Sequence, residues 1–231
     1  GTSVLVGRNP SLHPGDLRVL ERVHVTALHH LKNVVVFPCQ GDRPHPSEMS
    51  GGDLDGDMYF VIWDERFLPP EGQRHYPPMG YEPPPPPERK EGGVSVEDIE
   101  DFFLNYIMND NLGIIANLHL AWADSSELGA CSEECLELAK QHSLAVDFPK
   151  SGIPAKVPKE LRRDNYPDFM PRLGGTKINY VSEKVLGRMY RSVVQISHTQ
   201  AKVTEVLDHD MYVPGFEDFV DEAEVCSSWK D

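Results

Sequence analysis

The chain changes its hydrophobic rhythm about a third of the way along. Residues 3–8 (SVLVGR), 34–38 (VVVFP) and 58–63 (MYFVIW) are short β-branched or aromatic runs bounded by Gly, Pro or Asp. Runs of that length and composition predict strands. Between the first two, LRVLERVHVTALHHLKN mixes signals: Leu17, Val19, Val23 and Val25 suggest extended pieces, and Ala27 to Leu31 a helical turn. Residues 1–68 therefore read as one compact, strand-rich unit.

The period then lengthens. Ser95, with Asp98 three residues on, forms a capping box ahead of Ile99, Phe102, Phe103 and Ile107, which share one helical face. A second apolar run, LGIIANLHLAWA, covers 112–123, and a third helix is predicted from Ser132 through Leu136, Leu138 and Ala139 to about His142. Residues 177–198 predict a fourth. The two regions are separated by 69–94, which holds five consecutive prolines, Pro83 to Pro87. Proline fixes φ and lacks an amide donor, so this segment predicts an extended linker or surface loop. The expected organisation is α+β, with strands in 1–68, a linker over 69–94 and helices over 95–231.

Composition narrows the partners. With 22 basic and 37 acidic residues the formal charge is −15, whereas a free-standing nucleic-acid binder is usually basic. Simple phosphate-backbone binding by this chain alone is therefore disfavoured, but an acidic metal site that meets nucleic acid through cations is not. No run approaches the ~18 apolar residues of a membrane span. The opening residues lack the charged and apolar regions of a signal peptide. With no initiator methionine, the chain is expected to be a piece of something longer. Four scattered cysteines do not make a disulfide framework, which points to a reducing compartment, cytoplasm or nucleus. Cys131 and Cys135 have no second Cys/His pair at zinc spacing, so packing is their expected role.

The chemistry concentrates in GGDLDGDM, residues 51–58, where Asp53, Asp55 and Asp57 fall within five positions. The nearest basic residues along the chain are Arg43 and Arg66, so the loop is expected to hold no counter-charge of its own. In an extended strand, residues two apart lie ~6.5–7 Å from each other, too far to share one small cation. Gly52 and Gly56 permit the loop to curl and bring the carboxylates together. Their mutual repulsion then calls for a divalent ion at the centre. Oxygen-only ligation selects Mg²⁺, Mn²⁺ or Ca²⁺ over zinc. One reading is a Ca²⁺-stabilised interaction module of EF-hand type. Met58 and Asp64 occupy the positions where that loop needs Gly and Glu, and a strand-like run follows where a helix is required. The other reading is a catalytic Mg²⁺ site for phosphoryl or nucleotidyl transfer.

Five ordered motifs carry a resemblance. SGGDLDGDMYFVIWD (50–64) resembles the catalytic loop of the eukaryotic RNA-silencing RNA-dependent RNA polymerases, itself related to the aspartate loop of multisubunit RNA polymerases. GRNPSLHPGDLR (7–18), QGDRPHPSEMSGGD (40–53), NDNLGIIANLHLAWAD (109–124) and LAKQHSLAVDFPKSG (138–152) resemble further segments of that family in consistent order, over roughly 3–205.

The resemblance implies the second of two catalytic double-psi β-barrels, followed by a helical region. It implies that Asp53, Asp55 and Asp57 hold Mg²⁺, with Mn²⁺ as a substitute, to join an RNA 3′-hydroxyl to the α-phosphate of a nucleoside triphosphate. Lys150 is a candidate contact for nucleotide phosphates. Arg8, Asn9 and His13 are candidates for the template or nucleotide side, with turn-shaping as their alternative role, and His45 and Glu48 for bracing the loop. The partners implied are RNA template and product, nucleoside triphosphates, the remaining polymerase domains including the first barrel, and a Dicer-type nuclease or silencing helicase. No membrane is implied. With no first barrel in this sequence, the isolated chain is expected not to polymerise. A DNA-templated relative with the same barrel is the remaining alternative, since a metal loop does not encode template choice.

Overall fold

A computed structural model describes residues 3–74, 76–81, 92–170 and 180–207, with Gln73 and residues 198–207 described by backbone alone. The five-proline run lies outside the described residues. Strand β1 (Ser3–Arg8) is central, and β2 (Arg18–Glu21) and β3 (Tyr59–Ile62) pair with it antiparallel, in the order β2-β1-β3. In this register Val6 faces Arg18 and Arg8 faces Tyr59. Leu5 and Val6 are buried, as the central position of β1 requires.

The run 34–38 does not form a strand, contrary to the expectation from its composition. Val34, Val35 and Val36 are exposed and line an apolar groove together with Val4, Val6, Val61 and Trp63. β-propensity reflects packing on a pleated neighbour, and this run has no ladder partner among the described residues. Strand β2 instead comes from the stretch with mixed signals. Among the described residues the three strands form one open sheet, and the fold is a mixed α/β fold.

Helix α1 (His45–Glu48) is a single turn, and α2 (Val96–Met108) begins with the expected capping box of Ser95 and Asp98. The apolar face of α2 is only partly covered. Phe102 and Tyr106 meet the Phe148 ring at centroid distances of 6.3 and 5.5 Å, while Ile99, Phe103 and Ile107 stay exposed.

The helical core is the contact of α3 (Leu112–Ser125) with α4 (Glu133–Val146), which buries Ile115, Leu118 and Ala121 against Cys135, Leu138 and Ala139. Each of the larger side chains contributes about 1.5–3 kcal/mol by leaving water. Ser132 caps α4 by accepting from the Cys135 amide. Cys135 packs in the core and Cys131 is exposed. The short α5 (Phe148–Ser151) follows and ends at Gly152, whose φ of 71° is the left-handed conformation that closes a helix.

The described residues divide into two compact units, one within 3–166 and the other made of 167–170 and 180–207. The second contains α6 (Val185–Leu207), which begins eight residues later than the pattern from 177 suggests; positions 177–179 lie outside the described residues. Within it Arg191 pairs with Asp168 at 2.8 Å. No helix among the described residues is long and apolar enough to cross a membrane.

Candidate metal centre

The first unit contains a cleft of about 340 Å³. Arg8, Pro10, His13, Asp16, Ser50 and the three aspartates line it together with His142 of α4, Lys150 of α5 and Asp147 at the junction between them. Lys150, nearly a hundred positions from the aspartates in sequence, thus shares their cleft because α4 and α5 pack beside the loop.

The aspartate loop is shaped by its own backbone. The Asp53 amide donates to Asp57 Oδ2 and the Asp55 amide to Asp53 Oδ1, both at 3.1 Å. The Tyr59 hydroxyl donates to the Asp53 carbonyl, also at 3.1 Å. Gly56 has a φ of 124°, so the curl uses a conformation closed to other residues. As a result Asp53, Asp55 and Asp57 each present a carboxylate oxygen within 4.8 Å of the others.

Adjacent ligands of an octahedral Mg²⁺ stand about 3 Å apart and opposite ones about 4.2 Å, so the three oxygens would share a small divalent ion once the side chains close by up to about 2 Å. An all-carboxylate donor set also matches a hard cation in kind. The loop leads into strand β3, not into the second helix that an EF-hand needs.

Charge inside the loop is uneven. The hydrogen bond between the two side chains, then the Asp55 amide, holds the Asp53 carboxyl below the usual carboxylate range, with Arg8 and Lys150 helping. The same side-chain contact, together with the negative charge of Asp53 and Asp57, pushes Asp55 up. On acidification Asp55 therefore takes up a proton before Asp53 does. A divalent cation competes with protonation of the carboxylates, so binding weakens at low pH.

The expectation of a loop without counter-charge is corrected by the structure. Arg8 Nε lies 2.7 Å from Asp57 Oδ2, with both side chains largely buried. The register of β1 on β3 places Arg8 opposite Tyr59, and the guanidinium reaches back two positions to Asp57. Its Nη1 also donates to the Ser50 carbonyl at 3.0 Å. Arg8 occupies one oxygen of the triad and leaves the remaining carboxylate oxygens for an ion.

The other sequence candidates fall in three places. His13 is buried, its Nδ1 accepts from the Gly15 amide at 3.0 Å, and its ring meets Tyr76 edge-on at 5.6 Å. Burial pushes its pKa down. Asn9 precedes a cis bond to Pro10 and is absent from the cleft lining. His45 and Glu48 pair with each other at 2.8 Å, and Glu48 reaches Arg18 at 3.1 Å. They tie α1 to β2, and their partners among the described residues are each other and Arg18 rather than the aspartates. The residues that do touch the loop, Arg8, Tyr59 and Ser50, come from strand register and from the turn just before it. No local sequence signal marks those contacts.

With this geometry in place, known proteins supply the class. A family model described as RNA dependent RNA polymerase matches residues 1–193. The chain is 49% identical over 225 residues to the probable RNA-dependent RNA polymerase 1 of Oryza sativa subsp. japonica, covering 95% of this chain and 30% of that protein. It is 48% identical over 228 residues to RNA-dependent RNA polymerase 1 of Arabidopsis thaliana, covering 95% of this chain and 20% of that protein. RNA-dependent RNA polymerase 1 of Schizosaccharomyces pombe is 42% identical over 224 residues, covering 92% of this chain and 18% of that protein.

Among solved structures, the RNA dependent RNA polymerase QDE-1 from Thielavia terrestris superimposes with a TM-score of 0.56 at 19% identity, over 98% of this chain and 28% of that one. The chain belongs to the RNA-dependent RNA polymerase family. It spans less than a third of the length of these relatives.

Proposed function

We propose that the chain supplies the metal-holding half of a polymerase active site, which joins nucleoside triphosphates to an RNA 3′-hydroxyl on an RNA template. The observation that carries this reading is the convergence of three carboxylates within 4.8 Å in a cleft shared with Lys150. Asp53, Asp55 and Asp57 are the residues that would hold Mg²⁺, or Mn²⁺ in its place. When bound, such an ion lowers the hydroxyl pKa and stabilises charge on the phosphorus oxygens.

The chain's own groups bind and orient. Lys150 offers an ammonium to the triphosphate across the cleft from the loop. Arg8 holds Asp57 and the Ser50 carbonyl, which fixes the far end of the loop. His13 lines the cleft and shapes the turn there by accepting from the Gly15 amide.

The three-stranded sheet is read as part of a double-psi β-barrel. A first barrel elsewhere in the longer polypeptide would supply the basic surface that a net charge of −15 does not offer. The product would be double-stranded RNA passed to a Dicer-type nuclease, with a silencing helicase as a further partner, in the cytoplasm or nucleus.

The test is RNA synthesis from a single-stranded RNA template by a polypeptide of full family length carrying this chain. Asp55→Ala should abolish synthesis, and Lys150→Ala should raise the KM for nucleotide about 10- to 100-fold, the loss of one charge-assisted contact. Undiminished synthesis by the Asp55 variant would overturn the assignment.

A further inference from the structure

Asp16 has no place in the ligand set, yet it is 1% exposed and both its oxygens are engaged. Oδ2 accepts from the His13 amide at 3.0 Å, and Oδ1 accepts from the Ser50 amide at 3.1 Å and from the Tyr81 hydroxyl. One buried carboxylate therefore joins three segments that are far apart in sequence.

The Ser50 tie matters most. Ser50 has a φ of 53°, a left-handed conformation that a non-glycine residue adopts only when its surroundings hold it there. Asp16 holds its amide, Arg8 holds its carbonyl at 3.0 Å, and its hydroxyl donates to the Pro10 carbonyl at 2.5 Å. Gly51 follows at φ 64°, so close to Tyr81 that a Cβ there would lie 2.9 Å from the tyrosine Cβ. Two successive left-handed residues turn the chain, and Asp53 comes two residues after that turn.

We infer that Asp16 is a positioning residue for the aspartate loop: through the Ser50 amide and the Tyr81 hydroxyl it sets the turn from which the three carboxylates converge, and so raises their affinity for a divalent ion. A brace that served stability alone would lower the melting temperature and leave affinity per folded molecule unchanged. A positioning residue also moves the affinity, because a relaxed turn separates the carboxylates. The inference rests on the reading that the triad holds a divalent ion, and the test separates the two.

The measurement is Mn²⁺ titration of the chain followed by electron paramagnetic resonance, with Mn²⁺ alone as the probe and circular dichroism to confirm folding. Asp16→Asn should weaken binding about 10-fold, as outer-sphere changes around metal sites do. Tyr81→Phe, which removes one hydroxyl and no charge, should weaken it about 2- to 10-fold, the worth of one hydrogen bond. Asp55→Asn is the control for the triad.

If Asp55→Asn lowers affinity while Asp16→Asn and Tyr81→Phe bind as the wild type does, the positioning role is overturned and the metal reading stands. If wild type does not bind Mn²⁺, or Asp55→Asn binds unchanged, the metal reading itself fails. Should Asp16→Asn not fold, Tyr81→Phe decides the question alone.

Discussion

Gly52 tests how tightly the aspartate loop is clamped. A methyl group on its Cα would stand 2.6 Å from the Tyr59 hydroxyl oxygen, 2.9 Å from Arg8 Cδ and 3.0 Å from the Pro46 carbonyl oxygen. Ordinary contact begins near 3.4 Å, so all three neighbours would have to give way. The Tyr59 hydroxyl can move, but only by releasing the Asp53 carbonyl it now holds at 3.1 Å. Arg8 can move only by pulling its guanidinium from Asp57. The Pro46 oxygen is backbone in a buried turn and yields least.

Gly52→Ala should therefore cost about 1–3 kcal/mol, the usual range for overpacking. At roughly 2–4 °C per kcal/mol for a chain of this size, the melting temperature should fall by about 2–12 °C. Calorimetry or thermal circular dichroism reads this directly, and Mn²⁺ titration of the folded variant should show weaker binding, since both tethers of the loop are displaced. A variant that melts within about 1 °C of wild type and binds Mn²⁺ equally well would refute the claim that the loop is packed against Arg8 and Tyr59.

The same substitution should have the opposite sign at Gly113, in the first turn of α3, where a Cβ meets nothing within 4 Å. Gly113→Ala should raise stability by about 0.5–1 kcal/mol in urea denaturation, and a loss of stability would contradict the open space assigned there. Burial pushes the pKa of His119 down to about 4 and lowers those of His13 and His142. Below about 6.5 the unfolded chain takes up protons that the folded chain refuses until about 4, so stability is complete above 6.5 and falls as pH drops through that window. His119 alone accounts for up to about 3 kcal/mol of that loss, and an NMR titration of its ring with a midpoint near 6.5 would rule the effect out.

How far the sequence reaches depends on the range of each interaction. The caps at Ser95 and Ser132 and the α3 and α4 helices follow from local pattern, because the partners lie within four residues. The convergence of Asp53, Asp55 and Asp57 is legible for the same reason: the glycines that permit the curl lie inside the loop. The run 34–38 misled because its valines stay exposed along an apolar groove, without a hydrogen-bonded ladder. α2 shows the converse, a predicted apolar face that is formed but left largely uncovered.

By itself, then, the sequence determined the family, the helices and the carboxylate triad, all of them written in short windows or ordered motifs. Only the tertiary structure decided what surrounds the triad. Arg8 meets Asp57 because β1 pairs with β3 in one register, and a slip of one residue would turn its side chain to the other face. Lys150 enters the cleft because α4 and α5 pack beside the loop, and Asp16 reaches Ser50 and Tyr81 across 34 and 65 positions. Such contacts depend on strand register and helix packing, which no local stretch of residues encodes.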